Sequence, residues 1–264
     1  MSVDSLTQRK INRATGQIIA EFGLIKDGDR VGVGLSGGKD SSVLLHTLVR
    51  LRERAPIAFE LAAFTIDQGK FKKEASILEK LTGSLGVEWV CFKDPLSHRL
   101  KVEQPYHGCD LCSRYRRTAV YRTASSLRCN VVALGHTADD FTESLLRNLL
   151  FNGRSKTLPV AAVSSKGEFR LIRPFARVWE TWTAERACEL GLDLVPCACG
   201  EKDGVRKFVR DLIGSLDHQY GGVSRNILNA ALGTKVPVLP ILEPSSSEED
   251  LIVTCWYASS QVHG

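Results

Sequence analysis

The 264-residue chain is predicted to fold as an α/β protein built on a doubly wound parallel sheet, with an N-terminal helix before it and a small helical C-terminal region after it. Three observations predict this class. Short apolar runs alternate with longer segments of helical apolar spacing, which is the order of repeated βαβ units. Runs such as "RVGVGL" and "NVVALGH" are apolar almost throughout, as strands covered by helices on both faces must be. One run breaks directly into "SGGKDSS" and turns helical, a glycine loop at a strand–helix junction.

The elements follow in order. Ile11, Ala14, Ile18, Ile19 and Phe22 recur at helical spacing over Leu6 to Phe22. "GLIKDGD" supplies a turn, "RVGVGL" the first strand, and Val43, Leu44, Thr47, Leu48 and Leu51 one face of the helix after the glycines. "FELAAFTID" is a strand, Lys72 to Leu85 a helix and "VEWVCF" a strand; helix Arg114 to Leu127, strand "NVVALGH" and helix Ala138 to Leu150 then repeat the pattern. Beyond Asn152, "EFRLIRPF" is a strand ending at proline, and Glu180 to Leu190, Val205 to Leu216 and Ser224 to Leu232 are helical. Right-handed crossovers between parallel strands place helices on both faces. The expected organisation is residues 1–25 as the N-terminal helix, 26–200 as the nucleotide-binding core with its cysteines, and 201–264 as the C-terminal helical extension and tail.

Composition narrows the function classes. Hydrophobic residues make 43% and charged residues 25%, ordinary for a globular core. Met1 to Lys10 is polar with no apolar stretch of a leader after it, and no apolar run reaches the roughly 20 residues of a membrane span. The expectation is a cytoplasmic chain with no membrane partner. The net charge of +5 is mild, but Lys70 to Lys73 ("KFKK") and Arg114 to Arg117 ("RYRR") concentrate it.

Glycine lets backbone amides approach a phosphate, and a helix that starts straight after the loop adds its own amides and dipole. Ser36, Gly37, Gly38 and Ser41 can form that anion cradle, with Lys39 as a positive charge and Asp40 beside it. The spacing is neither a Walker A loop nor a dinucleotide fingerprint. Strand ends in open parallel sheets converge on the ligand crevice. Asp67, after "AAFTI", and Gly135, His136, Asp139 and Asp140 in "GHTADD", after "VVAL", therefore join the candidate site. Paired carboxylates beside a polyphosphate suit Mg²⁺; they also suit the first turn of a helix.

Eight cysteines are many for a reducing compartment. Cys109 and Cys112 form a CxxC pair, and Cys197 and Cys199 a second close pair, enough for a closed Cys₄ zinc site or for a metal cluster. Cys91, Cys129, Cys188 and Cys255 stand singly among apolar residues and are expected in the core.

Taken together, "GDRVGVGLSGGKDS", "CDLCSRYRRTAVYRTA", "ALGHTADD", "IRPFARVWE" and a late Pro-Cys, in this order from about Leu6 to Arg225, resemble the tRNA 2-thiocytidine synthetase family of PP-loop ATP pyrophosphatases. The resemblance implies an ATP-dependent tRNA sulfurtransferase that adenylates C2 of an anticodon-loop cytidine and replaces its oxygen with sulfur. It implies ATP and Mg²⁺ at the loop, with Lys39, Asp40, Asp139 and Asp140 in the catalytic part and Ser36, Gly37, Gly38, Asp40, Ser41, Asp67, Gly135 and His136 around the nucleotide. It also implies a [4Fe-4S] cluster on Cys109, Cys112 and Cys197, whose three thiolates leave one iron open for sulfide.

Two departures stand out. The family's "PCxxCG" is shortened to "PCACG", so Cys199 is an alternative third ligand, and the loop after Asp67 is reduced to "QGKFKK". The implied partners are tRNA, a sulfur donor such as a cysteine desulfurase, and a second copy in a homodimer. Lys70, Lys72, Lys73, Arg114 and Arg154 are candidates for the RNA backbone, and Arg116 and Arg117 for nucleotide phosphates or tRNA. The competing readings are a 2-thiouridine-forming or small-molecule-thiolating enzyme, a PP-loop ligase with a zinc-stabilised loop, and a non-catalytic tRNA- or nucleotide-binding protein.

Overall fold

The computed structural model describes residues 5–67, 75–93, 119–164, 169–195 and 204–233. Helix α1 (Leu6–Phe22) starts at Ser5, whose hydroxyl accepts the Gln8 amide at 3.0 Å, and stops at Gly23 in the left-handed region. Then follow β1 (Arg30–Gly34), α2 (Lys39–Arg52), β2 (Glu60–Asp67), α3 (Ala75–Ser84) and β3 (Glu88–Lys93). Helical backbone over residues 119–126 is α4. Next come β4 (Val131–Ala133), α5 (Ala138–Asn152), β5 (Ala161–Val163), β6 (Arg170–Ile172), α6 (Glu180–Glu189), α7 (Gly204–Tyr220) and α8 (Val223–Leu232).

The sheet runs β3-β2-β1-β4-β6-β5. All pairings are parallel except β5 with β6, an antiparallel edge on an otherwise parallel sheet. That edge strand is absent from the sequence expectation. Three residues with alternate side chains exposed carry no periodic signal that separates them from a loop.

Both faces of the sheet are covered, because successive side chains on a strand point opposite ways. Val31, Val33, Leu61, Ala63, Val131, Ala133 and Ile172 meet Ile11 and Ile18 of α1, Val43, Leu44 and Leu48 of α2, and Phe141 of α5. On the other face Ala62, Phe64 and Val132 meet Val120, Ala124 and Leu127. Among the lone cysteines, Cys129 is buried as expected and Cys91 half-buried, but Cys188 is exposed on α6, turned away from Ala187 and Thr183, which face the core. Helical phase, invisible from an apolar neighbourhood alone, decided that. Cys255 lies outside the described residues.

At the N-terminal edge of the strands the charged side chains close on one another. Asp29 is buried and accepts the Lys26 amide at 2.6 Å, Asn130 Nδ2 at 2.8 Å and the Arg170 guanidinium. Arg30 donates to Leu127 O at 2.8 Å and pairs with Glu60 and Glu88. This rim ties β1, β2, β3, β4 and β6 together at one end and leaves the other end for the site.

Candidate functional site

The chain passes from β1 to β2 on one side of the sheet and from β3 to β4 on the other, so the topological switch lies between β1 and β4. Ligands of open α/β sheets bind in the crevice beyond the carboxyl ends of the strands at that point. The two segments that emerge there are the glycine loop after β1 and "GHTADD" after β4.

Leu35, directly after β1, donates its amide to Phe64 O of β2 at 2.8 Å and holds the loop to the sheet. Gly37 has φ +84°, where a side chain is strained. A Cβ there would also meet Val195 Cβ at 2.6 Å. The Val195 amide donates to Gly37 O at 2.9 Å, so the segment before Pro196 crosses the loop and packs on its glycine.

The serines hold the loop from inside. Ser41 Oγ accepts the Ser36 amide at 3.2 Å and donates to Gly38 O at 3.0 Å, Ser42 Oγ donates to Gly38 O at 3.1 Å, and Ser36 Oγ accepts the Gly38 amide at 3.3 Å. Helix α2 then begins with Gly38 as its N-cap, which has no side chain to accept the first-turn amides. Those amides and the helix dipole await an acceptor from outside, and an anion is the acceptor they favour.

Gly135 brings the second segment against the first. A Cβ on it would lie 3.0 Å from the Ser41 backbone nitrogen and 3.1 Å from Asp40 C. His136 follows; its Nδ1 is buried and has no hydrogen-bond partner among the described residues. Burial, and then the nearby Arg173 charge, lower its pKa to about 4, so the imidazole is neutral at physiological pH. Thr137 caps α5, and Asp140 returns its carboxylate to the Thr137 amide at 2.9 Å, a capping box. Asp140 also pairs with Arg206 of α7 at 2.5 Å. Asp139 accepts the Glu180 amide at 2.7 Å and so caps α6 from the first turn of α5. Burial raises the pKa of the Asp139 carboxyl above the ordinary value despite that bond.

Helix α6 grips the charged pair of the loop. Lys39 Nζ donates to Glu180 Oε1 at 2.5 Å and to Asp40 Oδ2 at 3.2 Å. Thr183, one turn on and fully buried, donates its hydroxyl to Asp40 Oδ1. Burial raises the Asp40 pKa, against the Thr183 bond and the Lys39 charge, which favour the carboxylate. Burial opposes the Lys39 ammonium too, but its bond to Glu180 and the Asp40 charge win, and its pKa is raised. Glu180 Oε2 lies 3.6 Å from Arg210, whose Nε is bonded to Glu143 at 2.5 Å; Arg206 Nε meets the same Glu143 at 2.8 Å.

The structure thus brings Ser36, Gly37, Gly38, Lys39, Asp40 and Ser41 together with Gly135, Asp139 and Asp140 at one strand-end crevice. Asp67 is buried at the end of β2, one strand over, in register with Lys93. Cys109, Cys112, Cys197 and Cys199 lie outside the described residues, as do Lys70, Lys72, Lys73, Arg114, Arg116 and Arg117. Arg154 is exposed just past the end of α5. Glu180, Thr183, Arg206 and Arg210 are absent from the sequence expectation. The "IRPFARVWE" string ends on Glu180, but nothing in its spacing points that carboxylate at Lys39.

A PP-loop domain model matches residues 6–210. The tRNA-cytidine(32) 2-sulfurtransferase of Anaeromyxobacter sp. (strain Fw109-5) is 39% identical over 237 residues, covering 88% of this chain and 78% of that protein. The protein of the same name from Geobacter sulfurreducens is 38% identical, covering 89% of this chain and 93% of its own length. That from Vibrio vulnificus (strain CMCP6) is 37% identical, covering 81% and 71%. Among solved structures, the U34-tRNA thiolase NcsA from Methanococcus maripaludis with its [4Fe-4S] cluster is similar, with a TM-score of 0.64 and 22% identity over 85% of this chain and 76% of that one. That likeness is one of fold.

Proposed function

The chain belongs to the PP-loop family and, within it, to the tRNA-cytidine(32) 2-sulfurtransferases, and from that premise we propose that it is an ATP-dependent enzyme exchanging the C2 oxygen of a tRNA cytidine for sulfur. The observation that carries the ATP half is the uncapped start of α2 behind Gly37 and Gly38, at the switch point of the sheet. Its amides take the β,γ-diphosphate. Ser36 and Ser41 keep the loop in shape, and Gly135 allows the β4 turn close enough to share the ligand.

The cytidine O2 attacks the α-phosphorus and pyrophosphate leaves, so the C2 oxygen becomes part of an AMP leaving group. Sulfide then forms the C2–S bond as the C2–O bond breaks and AMP departs. Most of the rate comes from position and charge: Lys39 faces the departing pyrophosphate, and the neutral His136 and the acid Asp67 line the nucleotide side. Among the described residues no three acids, imidazoles or thiols converge as a ready-made metal site. Mg²⁺ asks for less, since it takes most of its ligands from phosphate and water. Asp139, Asp140 and Asp40 are the acids proposed to meet it, and it supplies charge neutralisation when bound.

Cys109, Cys112 and Cys197, with Cys199 as the alternative, are proposed to hold a [4Fe-4S] cluster that supplies an open iron for sulfide when bound. Three thiolates suit a cluster that must keep a position free, as open metal sites elsewhere keep one. Val195, bonded to the glycine loop, precedes Cys197 by two residues, at most about 7.6 Å of chain. A cysteine desulfurase as sulfur donor, a homodimer and a cytoplasmic location belong to the same proposal; no described helix is long and apolar enough to cross a membrane.

The test is anaerobic reconstitution with ATP, Mg²⁺, sulfide and unmodified tRNA, followed by mass spectrometry of the nucleosides. The expected product is 2-thiocytidine; 2-thiouridine alone, or no thiolated nucleoside, overturns the reading. Cys109→Ala is expected to abolish product while leaving the ATP dissociation constant within about twofold, about 0.4 kcal/mol.

A further inference from the structure

We propose that Glu180 is a positioning residue that competes with the pyrophosphate part of ATP for Lys39, and that Arg210 takes over Glu180 when the ligand claims the lysine. The inference rests on the reading of the glycine loop as the diphosphate nest.

Lys39 is the cation of the loop, yet its ammonium is turned to a protein carboxylate, 2.5 Å from Glu180 Oε1. A diphosphate in the adjoining amides presents the same kind of oxygen to the same ammonium, so one must displace the other. The second oxygen of Glu180 already has a cation waiting. Arg210 lies 3.6 Å away, beyond hydrogen-bond length but within ion-pair range. Its Nε is anchored on the buried Glu143, leaving the Nη2 end directed at Glu180. When Lys39 leaves, a shift of less than 1 Å by Arg210 turns that contact into a hydrogen bond near the usual 2.9 Å, and Glu180 is not stranded.

The backbone of Glu180 is held by Asp139 and its helix by the Thr183–Asp40 bond. The carboxylate therefore stays beside the loop through the exchange. In reverse, Glu180 draws Lys39 off the product pyrophosphate and speeds its release.

The experiment is calorimetric titration of the full-length chain with Mg²⁺-pyrophosphate, alongside steady-state thiolation. Glu180→Gln is expected to tighten pyrophosphate about 3- to 10-fold, the size of a partly exposed charge-assisted pair. In the same variant KM for ATP and kcat should fall together as product release slows, and Glu180→Asp should return both toward wild type. A purely structural Glu180 predicts the opposite, weaker binding with a lower melting temperature; that result, or unchanged affinity, overturns the proposal.

In a Lys39→Ala background the Glu180→Gln effect should vanish. If it persists, Glu180 acts on the ligand directly and the route through Lys39 is wrong. Should Glu180→Gln fail to fold, Arg210→Gln decides: pyrophosphate is expected to bind about 3-fold more weakly, and no change overturns the relay. Pyrophosphate binding is read without tRNA. A wild-type chain that makes no thiocytidine but keeps this order of affinities loses the substrate assignment alone; a chain that makes it without the order loses only the role of Glu180.

Discussion

The two ends of the sheet use the same residue types to opposite effect. At the N-terminal rim, Asp29 receives three donors and Arg30 reaches a carbonyl and two carboxylates, so charge is spent on joining strands. At the C-terminal rim, Asp40, Asp139, Asp140, Glu180 and Lys39 are also partnered, but these bonds surround the start of α2, whose first-turn amides have no side-chain cap. A rim that satisfies itself is structural. A rim whose ion pairs brace an unsatisfied set of backbone donors is built to accept a ligand, and the burial that raises the Asp40 and Asp139 pKa values marks the strain of holding acids there.

The sharpest way to break the contrast is to unmake the closed rim. Asp29→Ala strips a buried carboxylate from three donors and is expected to cost about 3 kcal/mol, a drop in melting temperature of roughly 6–12 °C. ATP affinity should stay within about twofold in calorimetry at a temperature where the variant is folded. A large loss of ATP binding would mean that the two rims are not separable.

The open rim should respond the other way. Gly37→Ala forces a side chain at φ +84° into Val195. It is expected to weaken ATP about 100-fold, near 2.7 kcal/mol, while the melting temperature falls by only a few degrees. Retained nucleotide affinity would show that the loop does not cradle the phosphates.

Thr183→Val keeps shape and removes the donor to Asp40. A bond of that kind is worth about 1.5 kcal/mol, so ATP should bind roughly 10-fold more weakly. Because the lost bond favoured the carboxylate, Asp40 protonates at higher pH in the variant, and the acid limb of the pH–rate profile should move upward. A profile that stays in place would remove Asp40 from the titrating set.

The smallest effect concerns Asp139. Its folded pKa is raised, so the folded state holds the proton more tightly than the unfolded chain; this favours folding below the folded pKa and is lost as pH rises through it. Asp139→Asn retains an oxygen for the Glu180 amide and removes the buried charge. Its melting temperature relative to wild type should rise as the pH is raised from below 3.8, reaching about 1–3 °C above wild type at pH 8, while thiolation falls. A variant that melts lower at pH 8 would mean that the carboxylate contributes net stability to α6.

Much of this was legible in the chain. The alternation of apolar runs and helical faces marks four of the eight contiguous elements from α1 to β4, namely α1, β1, β2 and β3, to within one residue at each end, because burial on both sides of a parallel sheet leaves little freedom of composition. The glycines of "SGGKDS" and "GHTADD" were equally readable as tight strand-end turns, since Gly37 has φ +84° and a Cβ on Gly135 would crowd the Ser41 backbone. Cys188 was not readable, because its neighbours say that α6 packs but not which side of it does.

By itself, then, the order of residues determined the α/β class and the glycine loop at the strand–helix junction, since each depends on local backbone demands and on periods of two and 3.6 residues. Only the tertiary structure decided that Asp139 caps a second helix, α6, and that Glu180 and Thr183 hold Lys39 and Asp40. Those contacts join residues 41 to 143 positions apart, and a side chain's partner across such a span is set by how helices dock on the sheet, not by any pattern within one segment.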